Sequence, residues 1–165
     1  MEYEHESRRA WESETQSAHK IDTDSITVLS VKPFREPRVM TIPNKLKTLQ
    51  DQVGGMIETI CPFEDPVAIL LNDEGKLNGL LPNRGLYDSN GNMYDIITGT
   101  FLIVGLSEDD FCSLSEELTA KYMEKYKIPE RMAFINGQIN MLPVVDSRKT
   151  QDKKSGKRNR TDEAR

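Results

Sequence analysis

The sequence predicts an α+β protein: a single small domain over residues 25–145, built as a mixed β-sheet with two helices packed together on one of its faces and flanked by disordered tails. Three observations point there. Apolar, β-branched runs of strand length recur between turn residues from Ser25 to Gly105. Two segments, near Leu46 and near Leu114, switch to helical spacing. At both ends the apolar pattern stops and charge takes over, and 165 residues give room for one core rather than two.

The ends differ in sign. Residues 1–24 hold seven acids against three bases, and residues 148–165 hold eight bases against three acids. With net values of −4 and +5 there, the chain's −5 leaves −6 for the residues between. An acidic body is a poor match for a phosphate backbone. Residues 1–24 form a disordered acidic arm in this reading and 146–165 a disordered basic tail, because neither has apolar surface to offset ordering. The start, MEYEHESRRAWESE, lacks an apolar h-region, and no apolar run nears the roughly 20 residues of a membrane helix. A cytoplasmic protein without membrane contact is expected.

The elements follow in order. SITVLSVK and RVMTI read as a hairpin around Phe34 and Pro37. In TIPNKLKTLQDQVGG, Leu46, Leu49 and Val53 recur at helical spacing, with Pro43 or Asn44 in the first turn. Gly54 and Gly55 end that helix, one of them taking the left-handed conformation. They follow the helix, where the dipole is negative, which argues against a phosphate cradle. MIETIC and VAILLN are strands joined by PFEDP, and Cys61 is expected as a small buried hydrophobe in the first of them. NDEGK is a turn with Gly75 available for positive φ. Asn90-Gly91, inside YDSNGNMY, is a strong hairpin signal. DIITGTFLIVG reads as one central strand. Ser107 is the expected cap of the second helix, with Glu108, Asp109 and Asp110 in its first turn and Phe111, Leu114, Leu118 and Tyr122 on its apolar face. Asn136-Gly137 marks a last small hairpin.

The chemical inventory is narrow. His5 and His19 are the only histidines and both lie in the expected arm, so the domain lacks the commonest general base and metal ligand. Cys61 and Cys112 are too far apart for a metal-binding pair. The acids Glu58, Glu64, Asp65, Asp73, Glu74, Asp88 and Asp95 fall at turns or strand ends, where solvated carboxylates are ordinary. No catalytic residue, metal site or cofactor is expected.

One stretch is unusual: LNGLLPNR, Leu77 to Arg84, between two strand-like runs. Two readings stay open. The polar residues are turn formers, with Arg84 paired to an acid such as Glu58 or Asp88. Alternatively, Asn78, Gly79, Asn83 and Arg84, with Glu58 and Lys76 beside them, present a donor-rich surface to a carboxylate, phosphate or carbonyl.

The combination VGGMIE, LNDEGKLNGLLPNR and DIITGTFLIVG resembles a domain-of-unknown-function family, number 3846, common in phages and conjugative mobile elements. The resemblance covers about residues 26–106. Its motif positions correspond to Gly54, Gly55, Glu58, Glu74, Gly75, Asn78, Gly79, Asn83, Arg84, Asp95, Gly99 and Gly105. LLPNR stands where LPPNR is common. The resemblance implies a genetic setting rather than a mechanism, and it tips the polar loop toward recognition, since a mere turn would not single out Asn78, Asn83 and Arg84. The function expected is a non-catalytic interaction module acting on a host protein or a small anionic ligand, in an accessory or counter-defence role. The alternative is a nucleic-acid accessory protein whose tail, through Lys153, Lys154, Lys157, Arg158 and Arg160, makes loose electrostatic contact.

Overall fold

The computed structural model describes residues 24–145. The arm, both histidines and the basic tail fall outside the described residues, save Asp24. Ten strands and two helices follow one another: β1 Ser25–Val31, β2 Arg38–Pro43, α1 Leu46–Val53, β3 Ile57–Ile60, β4 Val67–Asn72, β5 Pro82–Tyr87, β6 Met93–Thr98, β7 Phe101–Leu106, β8 Phe111–Cys112, α2 Glu116–Lys125, β9 Glu130–Ile135 and β10 Gln138–Pro143. The small α+β domain is as expected. The sheet is not one mixed unit, however: the described strands form three sheets, and every pair in them is antiparallel. For β1–β2, β3–β4, β5–β6 and β9–β10 the short connections leave too little chain for the crossover that parallel pairing needs.

The main sheet runs β2-β1-β7-β4-β3, with β8 added to the end of β7. Its central strands alternate strictly. Leu29, Val31, Val67, Ile69, Phe101 and Ile103 pack on one face, and Val28, Ala68, Leu70, Leu102 and Val104 pack on the other. A sheet apolar on both faces needs a cover on each. Helix α1 supplies one through Leu49 and Val53. On the opposite face, α2 contributes Tyr122 and the β5–β6 hairpin contributes Leu86 and Ile97. The helices therefore sit on opposite faces, not together on one.

Helix α1 ends as its sequence predicts. Gly54 is left-handed at φ 81 and its N–H bonds to the carbonyl of Gln50. Gly55 has a different reason, because a Cβ there would lie 2.9 Å from the Asn72 amide, which donates to the carbonyl of Val53. Pro43 and Asn44 stay outside the helix, and Leu46 is exposed rather than packed.

The cap of the second helix lies eight residues later than the expected Ser107. Ser107 closes a turn with the carbonyl of Asp110, Phe111 and Cys112 join the sheet as β8, and Ser115 is the cap, accepting from the N–H of Leu118 at 3.2 Å. The close passage of β8 explains Gly105, where a Cβ would meet the Ser113 carbonyl at 2.6 Å. DIITGTFLIVG is also two strands, broken at Gly99 with φ 74, and only its second half is central. Cys61 is exposed just beyond β3 and Cys112 is half-buried.

Candidate functional site

The predicted site does not stay together. The chain turns through residues 73–79, and there Lys76, Asn78 and Gly79 are exposed. Gly79 holds the left-handed φ of 68, whereas Gly75 does not; a Cβ on Gly75 would meet Thr98 Oγ1 at 2.6 Å. Lys76 pairs with Asp95, and Glu58 lines the same narrow crevice. The chain then enters β5 at Pro82, which carries Asn83 and Arg84 inward.

Asn83 and Arg84 are buried, so they do not project from the turn as a solvent-facing surface. Asn83 Nδ2 donates to the carbonyls of Val31 at 2.9 Å and Gly99 at 2.8 Å, tying the hairpin to the end of β1. Its Oδ1 accepts from Arg84 Nη1 at 2.8 Å. Arg84 Nη2 donates to the carbonyls of Arg35 at 2.7 Å and Tyr126 at 2.8 Å. Tyr126 is the C-cap of α2, so the guanidinium serves one of the carbonyls that a helix end leaves unpaired and also meets the negative end of its dipole. Arg84 Nε has no partner. Neither Glu58 nor Asp88 forms the ion pair that the turn-former reading assigned to Arg84.

Arg84 also borders a cleft of about 550 Å³. Three elements build it: β5 and the start of the following loop, the 62–65 turn, and the last two turns of α2. Glu130 of β9 closes one side. Five aromatic side chains line it, Phe63, Tyr87, Tyr94, Tyr122 and Tyr126, together with Glu64, Asp65, Asp88, Lys121 and Lys125. Phe63 and Tyr122 rest on each other with centroids 4.9 Å apart. Asp65 accepts from Lys121 Nζ at 2.5 Å and the Tyr122 hydroxyl at 2.8 Å, and these bonds hold its carboxyl below the usual range. Asp88 is committed to its loop, its Oδ1 accepting from the N–H groups of Asn90 and Asn92, both at 2.9 Å. That is turn chemistry, as the sequence implied for DSNGN.

Glu130 is the perturbed group. Burial pushes its carboxyl up, against the opposing pull of the Gly85 N–H, the Arg84 charge and the Tyr87 hydroxyl. The same burial lowers the Arg84 guanidinium, with Glu130 acting the other way, and it raises the Tyr87 hydroxyl. Sequence reasoning missed Glu130, Tyr87, Tyr94 and the α2 face, because nothing local announces that these distant segments converge.

Residues 26–127 match the family described as a domain of unknown function (DUF3846). The chain belongs to that family. No curated protein and no solved structure matches it. The DUF3846 match extends through α2 and stops before β9, so most of the cleft lies inside the family domain while Glu130 lies beyond it. Among the described residues, no group of three or more His, Cys, Asp or Glu side chains is placed to hold a metal, and no helix is long and apolar enough to cross a membrane. Lys153, Lys154, Lys157, Arg158 and Arg160 lie outside the described residues.

Proposed function

We propose that this DUF3846 chain is a non-catalytic binding module of a phage or mobile genetic element, and that it takes part of a host protein into the tyrosine-lined cleft. The observation that carries the reading is the cleft's composition. Half-exposed Tyr87 and Tyr94 stand at its mouth, with both charge signs around them. Tyrosines offer large contact area at low entropic cost and a polar tip, which suits a protein surface. A small anion is less well served, since two of Arg84's three nitrogens are already bonded to the scaffold. Glu130 has the upward-shifted carboxyl that a general base needs, but its Oε2 already faces the Gly85 N–H and the Tyr87 hydroxyl, each at 3.4 Å.

The test is capture of partners from a lysate of the natural cell by the wild-type chain and by a Tyr87→Ala/Tyr94→Ala variant, with Lys76→Ala as the control outside the cleft. A specific protein held by wild type and by Lys76→Ala should be lost by the double variant. Equal retention by all three would refute the cleft as the binding site.

A further inference from the structure

The β9–β10 hairpin lies beyond the residues that match the family, and its exposed surface is unusually apolar. Phe134 is 73% exposed, and Met132, Ile135 and Ile139 are exposed as well. The register sets Phe134 opposite Ile139 and Met132 opposite Met141, so these four share one face of the ribbon, exposed at Phe134, Ile139 and Met132 and already buried at Met141. Exposed apolar side chains clustered on a thin ribbon are a mark of an interface.

The backbone says which edge is open. Asn136 and Gly137 have φ of 51 and 77 and form a two-residue turn of the kind that matches strand twist. In such a hairpin the closing pair, Ile135 and Gln138, exchanges both backbone bonds. Alternation then turns the N–H and C=O of Ile139 and Met141 outward from β10. Among the described residues β10 pairs only with β9, which also packs near β5. The other open edges of the molecule carry charge on their strands, Arg38 on β2 and Glu58 on β3, which is how edges are commonly guarded. β10, QINMLP, carries none.

We propose that β10 pairs antiparallel with β10 of a second copy, across a two-fold axis at Asn140. Of the registers that set outward-facing residues opposite one another, this one forms the most backbone bonds, because centring on Ile139 would pair Met141 with the turn residue Gly137 and centring on Met141 would pair Ile139 with Pro143, which has no N–H. Ile139 of one copy bonds Met141 of the other, and the reverse, which leaves the two Asn140 side chains facing each other at the axis. The same register aligns Phe134, Ile139, and then Met141 and Met132 of the second copy, in one apolar row across four strands. The arrangement pairs the outward donors and acceptors, brings Ile139 of one copy into cross-strand contact with Met141 of the other and meets no charge on β10, and it needs no partner but the chain itself. The junction is small, so the dimer should be a weak one that forms over about 1 to 100 µM.

Sedimentation of the full chain across that range tests it. Wild type should move from monomer to dimer with concentration. Asn140→Lys sets two like charges against each other at the axis and should weaken dimerisation at least about tenfold, while Leu77→Lys on the distant turn leaves it unchanged. Should Asn140→Lys unfold, Asn140→Cys in a Cys61→Ser background decides instead. Facing residues at such a position lie about 4.5 Å apart, within disulfide reach, so mild oxidation should link two copies there and not in Gln138→Cys. A wild type that stays monomeric throughout, a dimer that survives Asn140→Lys, or cross-linking equal at 138 and 140 would overturn the proposal.

Discussion

Replacing Arg84 by Ala tests the account of the domain's interior most directly. Three hydrogen bonds of 2.7 to 2.8 Å disappear at once, to Asn83 Oδ1 and to the carbonyls of Arg35 and Tyr126. A hydrogen bond from a charged donor contributes about 1.5 to 3 kcal/mol net, but three from one group are not additive. Removing the donor leaves the Asn83 amide oxygen and two carbonyls without it, at about 1 to 3 kcal/mol for each group that stays buried and unpaired, so a loss of about 3 to 5 kcal/mol is expected here. The helix-end share alone is worth up to about 2 kcal/mol in a partly buried setting. Against a typical total stability of about 5 to 15 kcal/mol this is a large loss, and it corresponds to a melting temperature lower by roughly 10 to 20 °C. Arg84→Lys should lie between Ala and wild type, because a single ammonium cannot reach three acceptors that the planar fork spans. Urea and thermal melts of the three proteins measure it. A loss below about 1 kcal/mol for Arg84→Ala would show that the guanidinium is not the internal tie described.

Two further outcomes are expected. Ser115→Ala should cost about 1 kcal/mol through loss of the helix cap, whereas Ser107→Ala should cost less, since Ser107 only closes a turn; equal costs would restore Ser107 as the cap. Glu130→Gln reads the raised carboxyl. A group whose folded pKa lies above its unfolded value, near 4.5, binds its proton more tightly in the folded state, so its contribution to stability falls as pH rises through the folded value. The difference in melting temperature, Gln variant minus wild type, should therefore grow from pH 4 to pH 7. Because the group is only half-buried, the stabilisation at neutral pH should stay under about 1 kcal/mol. A difference that shrinks over that range would reverse the assigned sign.

What the sequence disclosed was local. The β1–β2 hairpin, the left-handed Gly54, the Asn90-Gly91 loop and the Asn136-Gly137 turn all announce themselves within a few residues, and all are present. The start of α2 was misread because Phe111 fits the helical spacing while pairing as a strand, so two periods were compatible with the same residues until the sheet claimed one of them. Arg84 was misread for a different reason. In sequence it stands among turn formers, but its acceptors at Arg35 and Tyr126 are 49 and 42 residues away. Burial of a charge is a statement about distant chain, and no local pattern carries it.

Long-range contacts of the same kind run through the family motif. Gly55 makes room for the Asn72 amide, Gly75 for Thr98, Gly99 for Leu80 and Gly105 for β8. Asn83 and Arg84 bind the hairpin to β1, to the turn at Arg35 and to the end of α2. Most motif positions with an internal partner are thus places where a side chain or a neighbouring strand packs directly on a glycine backbone, or where a buried donor meets a carbonyl. A pattern of this kind specifies how the hairpin closes over the sheet, and it would persist whatever the domain binds. The residues that could distinguish one partner from another are the exposed ones outside the pattern, Tyr87 and Tyr94 at the cleft mouth and the apolar face of β9 and β10. Substitutions there should change binding or assembly with little change in melting temperature, and substitutions at the buried motif positions Gly75, Asn83, Arg84, Gly99 and Gly105 should do the opposite.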